Sequence, residues 1–490
     1  MATKAKQAKA PRTAVRDAVL AQWPYLDRLS SSAQRTLIAR HKAATAPAAA
    51  ATAPAPAKAS PAATPAVTAA LTPAAMPANI RVNDPGEDIG FGNQTTQSEP
   101  SIAVHHKKVV VAYNDSTKTP NYTGYSNSAH GGHVFHDRGG LPGNQSGDNV
   151  LAVDRQGTFY YATLSTDAAG NSSVGVSKST DGGVTFTPPV NASTTANGPA
   201  FFQDKEWLSV DNSGEASDGN AYLAWTKFGG PGEQILFARS TDGGNTWSAP
   251  VALSGFGGHQ AAMPAVGPEG VLYVCWIERG ASQLLIQKST DAGLTFANPV
   301  TGGGAVQNIV QIPGTMNGNI RANSFPSIAI DQDDGRIYIT YAARVGADAA
   351  DVFLTVSHDH GKTWSAPVRV NDDATQTDQW MPSVAVTEEG TVGVMFYDRR
   401  NDPGANLNID VYLAISTNHG KTFHPNQRIT TTSFPPAVNF DPAIAWNYMG
   451  DYNQMVASGE KLYMAWGDNR DTVGARHDPN VYFGAFDADD

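Results

Sequence analysis

The 490-residue chain holds one cysteine, Cys275. It sits in the apolar run Val271-Leu272-Tyr273-Val274-Cys275-Trp276. An intrachain disulfide is therefore excluded, and a buried, inert thiol is expected. Charge is sparse, at 16% of residues, and the net charge is −11. That acidic balance argues against a general nucleic-acid binder. No run is long and apolar enough to span a membrane. The opening Met1-Ala2-Thr3-Lys4-Ala5-Lys6 leads into further charge, not into an apolar h-region. The sequence thus shows no Sec-type signal and leaves the compartment unassigned. It also lacks a phosphate-binding glycine loop and a nucleophile elbow, so its Gly-Gly pairs read as turn glycines.

What charge there is lies unevenly. Residues 1–44 carry nine Lys/Arg and two Asp/Glu, about +7, which leaves the rest near −18. Residues 1–42 read as a basic helical segment. Val15, Val19 and Trp23 fall four apart beside Arg12 and Arg16, and Pro24 stops the helix. A second helix follows Ser30 to Ser32 and carries Leu37 and Ile38, with Arg35, Arg40 and Lys42 expected outward. A solvated basic face, or a docking handle for an acidic partner, fits this pattern. Residues 43–78 are almost all Ala, Pro and Thr, too poor in apolar bulk for a core, and read as a flexible linker.

Residues 79–490 are organised by a repeat. Ser179-Thr180-Asp181-Gly182-Gly183-Val184-Thr185-Phe186 returns at Ser240 to Trp247, at Ser289 to Phe296 and at Ser357 to Trp364. A copy at Ser416 to Phe423 has Asn418 in place of Asp, and one at Ser128 to Phe135 has His130 there. The core, Ser-x-Asp-x-Gly-x-x-aromatic, is hairpin-turn chemistry. Asp accepts hydrogen bonds from turn amides, Gly takes positive φ, and the aromatic packs on a sheet. Each copy follows two short apolar strands, such as Pro326 to Ile330 and Ile337 to Tyr341, and a third strand leads into it. Four strands per unit, repeated on the order of 50 residues apart, make a propeller blade.

Seven units start near residues 98, 147, 203, 260, 324, 379 and 445. Six remain if the long spacing through residues 302–322 makes one unit an elaborated loop. The last unit runs into Val481 to Phe486 without a fourth strand, while Asn79-Ile80-Arg81-Val82 has no strands before it. The expectation is an all-β, seven-bladed propeller in which the N-terminal strand closes the last blade.

The repeat resembles the Asp-box, or bacterial neuraminidase repeat, of the sialidase superfamily. That resemblance implies a sialidase-like exo-glycosidase acting on acidic glycans at the channel mouth. The alternatives are a non-catalytic propeller that binds glycan or protein there, and a scaffold or cargo module delivered by the basic head. The sequence departs from the family in two ways. Sialidases open on Phe/Tyr-Arg-Ile-Pro, which Asn79-Ile80-Arg81-Val82 does not match, and they have six blades. The arginine triad, tyrosine nucleophile and acid are therefore not carried over by motif.

Topology puts the boxes on one face and any chemistry on the other, where first strands start and second strands end. That mouth gathers Glu99, Asp148, Asp204-Lys205-Glu206 and Tyr448 to Tyr452, among others. Glycoside hydrolysis needs two carboxyl groups, or a tyrosine with a carboxylate base, and arginines clamp acidic sugars. The catalytic candidates are Glu206, Glu278, Asp398, Asp451 and Tyr452. The substrate-binding candidates are Arg279, Arg321, Arg344, Arg399, Arg400, Arg470 and Trp380. Arg–Asp pairs such as those in Tyr397-Asp398-Arg399-Arg400 also fit the bracing of adjacent blades. No cofactor is required by this reading. The oxygen-rich loop Asp211 to Gly219 offers a Ca²⁺ option. His130, His133 and His136, spaced by three, alternate faces on an extended hairpin and are not assigned a metal.

Overall fold

The computed structural model describes residues 14–23, 26, 29–45, 79–88, 92–118, 121–297, 309–346, 348–438, 441 and 444–488. The linker expected over 43–78 lies outside them from residue 46 on, as does Arg12. The remainder is a seven-bladed propeller with two helices before it. Blade 1 comprises Gln97–His105, Lys108–Asp115, Gly124–Ser128 and His136–Asp137. The innermost strands of blades 2 to 6 are Gln145–Val153, Phe202–Val210, His259–Val266, Ser327–Ile330 and Gln379–Val386. Each is followed by antiparallel partners in chain order.

Blade 7 consists of Gln454–Ser458, Lys461–Val473 and Arg476–Asp487, and its outer edge is taken by Ile80–Arg81. Ile80 pairs with Phe483 and Arg81 with Tyr482. The N-terminal strand thus closes the ring as expected. The ambiguous spacing before blade 5 holds a small hairpin, Thr315–Met316 with Ile320–Arg321. It is an insertion between blades 4 and 5, so the count is seven.

The strands read as continuous apolar runs because both faces of each blade are covered. In blade 3, Ala221, Leu223 and Trp225 join an apolar layer with blade 2, while Tyr222 and Ala224 join one with blade 4. The two-residue strand period therefore feeds two separate layers. Seven such layers fill the seven inter-blade gaps.

The boxes lock these layers from the outside. Asp181 Oδ1 accepts from Ser179 Oγ at 2.7 Å and from the Val184 and Thr185 N–H groups at 3.0 Å, and Oδ2 accepts from Thr185 Oγ1 at 2.6 Å. The Ser–Asp and Asp–Thr bonds recur at Asp242, Asp291 and Asp359. Although burial works against ionisation at Asp181 and Asp242, these hydrogen bonds hold both carboxyls down at about 2. Gly183 sits at φ +78°, and a Cβ there would meet Val110 of blade 1 at 2.3 Å. Phe186 packs edge-on to Tyr125 and Tyr161. The box of one blade is thereby pressed onto the blade before it.

The helices are Ala14–Gln22 and Ser31–Thr45. They do not present a wholly solvated basic face. Val19, Leu26, Leu29, Ala33 and Leu37 form an apolar cluster with Leu164, Phe202 and Phe228 of blades 2 and 3. Arg35, expected outward, lies with its guanidinium carbon 4.7 Å from the centre of the Tyr122 ring. Burial of the apolar stripe turns that helix face onto the propeller, and the aromatic ring accepts the cation.

Candidate functional site

The mouth is built by one repeated device. Glu99, Asp148, Lys205, Ala261 and Met381 have φ between +52° and +58°. Each coincides with a shift of pairing register in its innermost strand, for example between Ser98 and Ser101 and between Asp204 and Trp207. A bulge of this kind re-aims a side chain that would otherwise alternate into a blade layer. Left-handed backbone at a non-glycine residue costs about 1–3 kcal/mol and persists where its surroundings over-determine it. Here three of the five residues so placed are charged.

They meet around Lys205. Its Nζ lies 3.0 Å from Glu99 Oε1, 3.2 Å from Asp451 Oδ2 and 3.9 Å from Asp148 Oδ2, and all four residues are buried. Arg321, carried by the inserted hairpin, grips Asp451 with two nitrogens, Nε at 3.2 Å from Oδ1 and Nη2 at 2.5 Å from Oδ2. Glu99 also accepts the Asp451 N–H at 2.9 Å and Asn114 Nδ2 at 2.7 Å. Glu206 is buried, and neither of its carboxyl oxygens has a hydrogen-bond partner among the described residues. Tyr452 stands edge-on to Trp207 with ring centres 5.3 Å apart, and Lys205 lies 4.5 Å from the centre of its ring.

Five buried carboxyl groups thus face two cations, and they cannot all be ionised at ordinary cost. Burial pushes Glu99 up to about 7 against the pull of Lys205, and pushes Asp148 and Asp204 to about 6. Burial, reinforced by the charge of Asp148, drives Glu206 well above the usual carboxyl range. Asp451 goes the other way. Burial works against its charge, but Arg321 and Lys205 hold it below its ordinary value. One mouth therefore contains a carboxyl pushed toward its protonated form and another held toward its ionised form.

The mouth is covered by the helical head. Ser30 caps the second helix, its Oγ accepting the Ala33 N–H at 3.1 Å. The same Oγ donates to Asp204 Oδ1 at 2.6 Å, and the Ser30 N–H donates to Asp204 Oδ2 at 3.1 Å. Arg321 Nη1 donates to the Leu29 carbonyl at 2.6 Å. Alongside, a cleft of about 230 Å³ is lined by Gln260, Arg279, Gln311, Arg321, Asn323 and Asp451.

Of the residues singled out in the sequence, Asp451 and Arg321 pair and meet Tyr452 around Lys205, Glu206 lies in the field of Asp148, Asp204 and Lys205, and Arg279 joins Arg321 and Asp451 on the cleft wall. Arg279 is also paired with Glu233 at 2.6 Å. The Tyr452 hydroxyl donates to the Asn149 carbonyl at 3.0 Å. The others are occupied elsewhere. Glu278 accepts the Gly280 and Ala281 N–H groups and closes a turn. Asp398 pairs with Arg400, which also reaches Asp372 and covers the Tyr412 ring. Arg470 repeats this in blade 7 with Asp468 and Tyr482. Arg399 is fully buried between Asp378 and the Trp380 ring, and Trp380 is itself fully buried. Arg344 is exposed. Glu99, Asp148 and Lys205 were recognisable as mouth residues, but their central place depends on the bulges. Ser30 was legible only as a helix start, and Leu29 gave no signal.

In the loop Asp211 to Gly219, Asp211 Oδ1 accepts from Ser213 N and Oγ, and Asp218 from Gly214 N. His130, His133 and His136 are exposed and not gathered into a ligand set. Among the described residues one close group of ligand type exists, Asp331, Asp334 and His419, and Arg336 bonds to two of its members.

The BNR/Asp-box repeat family matches residues 355–366. Among solved structures, an ulvan lyase of polysaccharide lyase family PL25, bound to -[GlcA(1-4)Rha3S]-, is 11% identical with a TM-score of 0.52, over 80% of this chain and 93% of its own. The Hadza microbial sialidase Hz136 is 14% identical with a TM-score of 0.44, over 77% and 76%. A Penicillium chrysogenum α-L-arabinanase is 13% identical with a TM-score of 0.43, over 84% and 98%. No curated protein matches the sequence. The chain carries an Asp-box repeat on a seven-bladed β-propeller. No helix among the described residues is long and apolar enough to cross a membrane.

Proposed function

We propose that the protein is a glycoside hydrolase that works at the channel mouth, with Glu206 as general acid and Asp451 as the ionised partner. The observation that carries this is the divergence of two carboxyls in one cluster. Glu206 is buried, without a hydrogen-bond partner among the described residues, and pushed toward its protonated form, while Arg321 and Lys205 hold Asp451 toward its ionised form. Pairs of carboxyls driven apart in this way are the acid and base, or acid and nucleophile, of glycoside cleavage. A protonated Glu206 would give its proton to the leaving oxygen. Ionised Asp451 would face the positive charge that builds on the sugar ring, or activate water. Tyr452 and Trp207 supply an aromatic wall for a sugar face. With its proton directed to Asn149, Tyr452 serves there rather than as nucleophile.

Arg321 and Arg279 on one cleft favour a sugar bearing a carboxylate. Three arginines free for a sialic acid clamp are not gathered among the described residues, which favours a uronide over a sialoside. The ulvan lyase of similar fold is described with a glucuronate-containing ligand. The test is turnover of fluorogenic uronide, sialoside and arabinoside substrates by the full chain and by Glu206→Gln. General acid catalysis contributes about 10²–10⁴-fold, so that loss is expected in the variant. Turnover unchanged in Glu206→Gln would remove the assignment. Glycan-array binding without turnover would move the conclusion to the non-catalytic binder.

A further inference from the structure

We propose that the helical head is an intramolecular stand-in for the ligand, which closes the mouth and must leave before a glycan enters. The inference rests on the reading of the mouth as a glycan site. Its geometry is that of a bound ligand rather than of generic packing. Ser30 sets two donors, N–H and O–H, on the two oxygens of one carboxylate, Asp204, at 3.1 and 2.6 Å. Leu29 sets one acceptor, its carbonyl, on Arg321 at 2.6 Å. Two neighbouring donors and an acceptor oxygen are what adjacent sugar hydroxyls and a carboxylate or acyl oxygen present. Asp204 and Arg321 otherwise belong to the mouth: Asp204 lies in the field of Lys205, and Arg321 holds Asp451. A carboxylate as buried as Asp204 needs donors to remain ionised, and Ser30 supplies them.

The head also lays Arg35 over the Tyr122 ring. Its apolar stripe meets three propeller side chains, Leu164, Phe202 and Phe228, at the edges of blades 2 and 3. No blade layer contains a head residue, so the head can depart without opening the ring. The vacated position would take a sugar with a vicinal diol on Asp204 and a carboxylate on Arg321, a uronic acid.

The test uses the full chain and two head variants that leave the mouth untouched. Ser30→Asp places a carboxylate against Asp204. Leu26→Asp breaks the apolar anchor without touching any polar contact. Hydrogen exchange reports protection of residues 29–45, mass spectrometry reports modification of Lys205 by an amine-reactive reagent, and calorimetric titration reports binding of sodium glucuronate and of methyl glucoside. In both variants the head should lose protection, Lys205 labelling should rise at least about tenfold, and glucuronate should bind at least about tenfold tighter than to the parent. Loss of head protection with unchanged Lys205 labelling would overturn the proposal. So would full protection in both variants, because these contacts would then not hold the head. Exposure of Lys205 with neither sugar bound would uphold the stand-in and count against the glycan reading.

Discussion

Lys205→Met asks whether the mouth is held together by one buried cation. The ammonium faces three buried carboxyls, at 3.0, 3.2 and 3.9 Å. Removing one partner of a buried ion pair costs about 3–5 kcal/mol, because the remaining charge is left uncompensated. The three carboxyls do not suffer equally. Asp451 keeps Arg321, and Glu99 keeps two N–H donors. Asp148 keeps least, since beyond Lys205 only the nearby Ser30 hydroxyl favours its charge. The loss therefore falls mainly on Asp148 and then on Glu99.

The two groups also give the effect a pH signature. Their folded pKa values, about 6 and about 7, lie above the unfolded value near 4. The folded state thus binds more protons, and this stabilisation is complete below about pH 4 and lost as pH rises through 6 to 7. Without Lys205 both values climb further, so the loss continues to higher pH. Each additional retained proton steepens it by about 1.4 kcal/mol per pH unit. The penalty should be about 3–5 kcal/mol at pH 8 and smaller by roughly 2 kcal/mol or more at pH 5. Urea unfolding followed by tryptophan fluorescence at the two pH values measures it. A penalty equal at both, or below about 1 kcal/mol at pH 8, would refute the reasoning.

Other expectations concern the frame. Asp242→Ala removes a carboxylate that accepts from Ser240, Asn245 and Thr246, and should destabilise by about 1–2 kcal/mol in urea unfolding. Asp242→Asn should cost less than about 1 kcal/mol, because Asn418 already fills this place in blade 6 and bonds to Ser416 and Thr422. Val82→Asp puts a carboxylate into the layer between blades 7 and 1 and should open the ring at its closure. Limited proteolysis at residues 79–88 reads this, and resistance equal to the parent would count against closure by that strand.

Blade number and closure were legible because both are written locally. The box is a turn whose donors and acceptor lie within seven residues, and the missing fourth strand of blade 7 matches the orphan strand at Ile80. The mouth was legible only as a region. Whether Arg400 reaches a ligand or its own Asp398 depends on a turn of two residues, and the structure gives it to Asp398 and Asp372. Whether Lys205 or an arginine occupies the centre depends on a left-handed residue inside a strand, which no residue type at that position announces. The head was unreadable for a different reason. Its bonds to Asp204 and Arg321 span 174 and 292 residues, and Ser30 looked like an ordinary helix cap, which it also is.

The proposed function assigns activity to the channel mouth and not to the repeated boxes. The direct measurement is kcat/KM on a fluorogenic uronide for Glu206→Gln and Asp242→Asn, both in the Ser30→Asp chain. A loss of about 10²-fold or more is expected for the first and parent-like turnover for the second. Loss of turnover in Asp242→Asn with Glu206→Gln unaffected would contradict it.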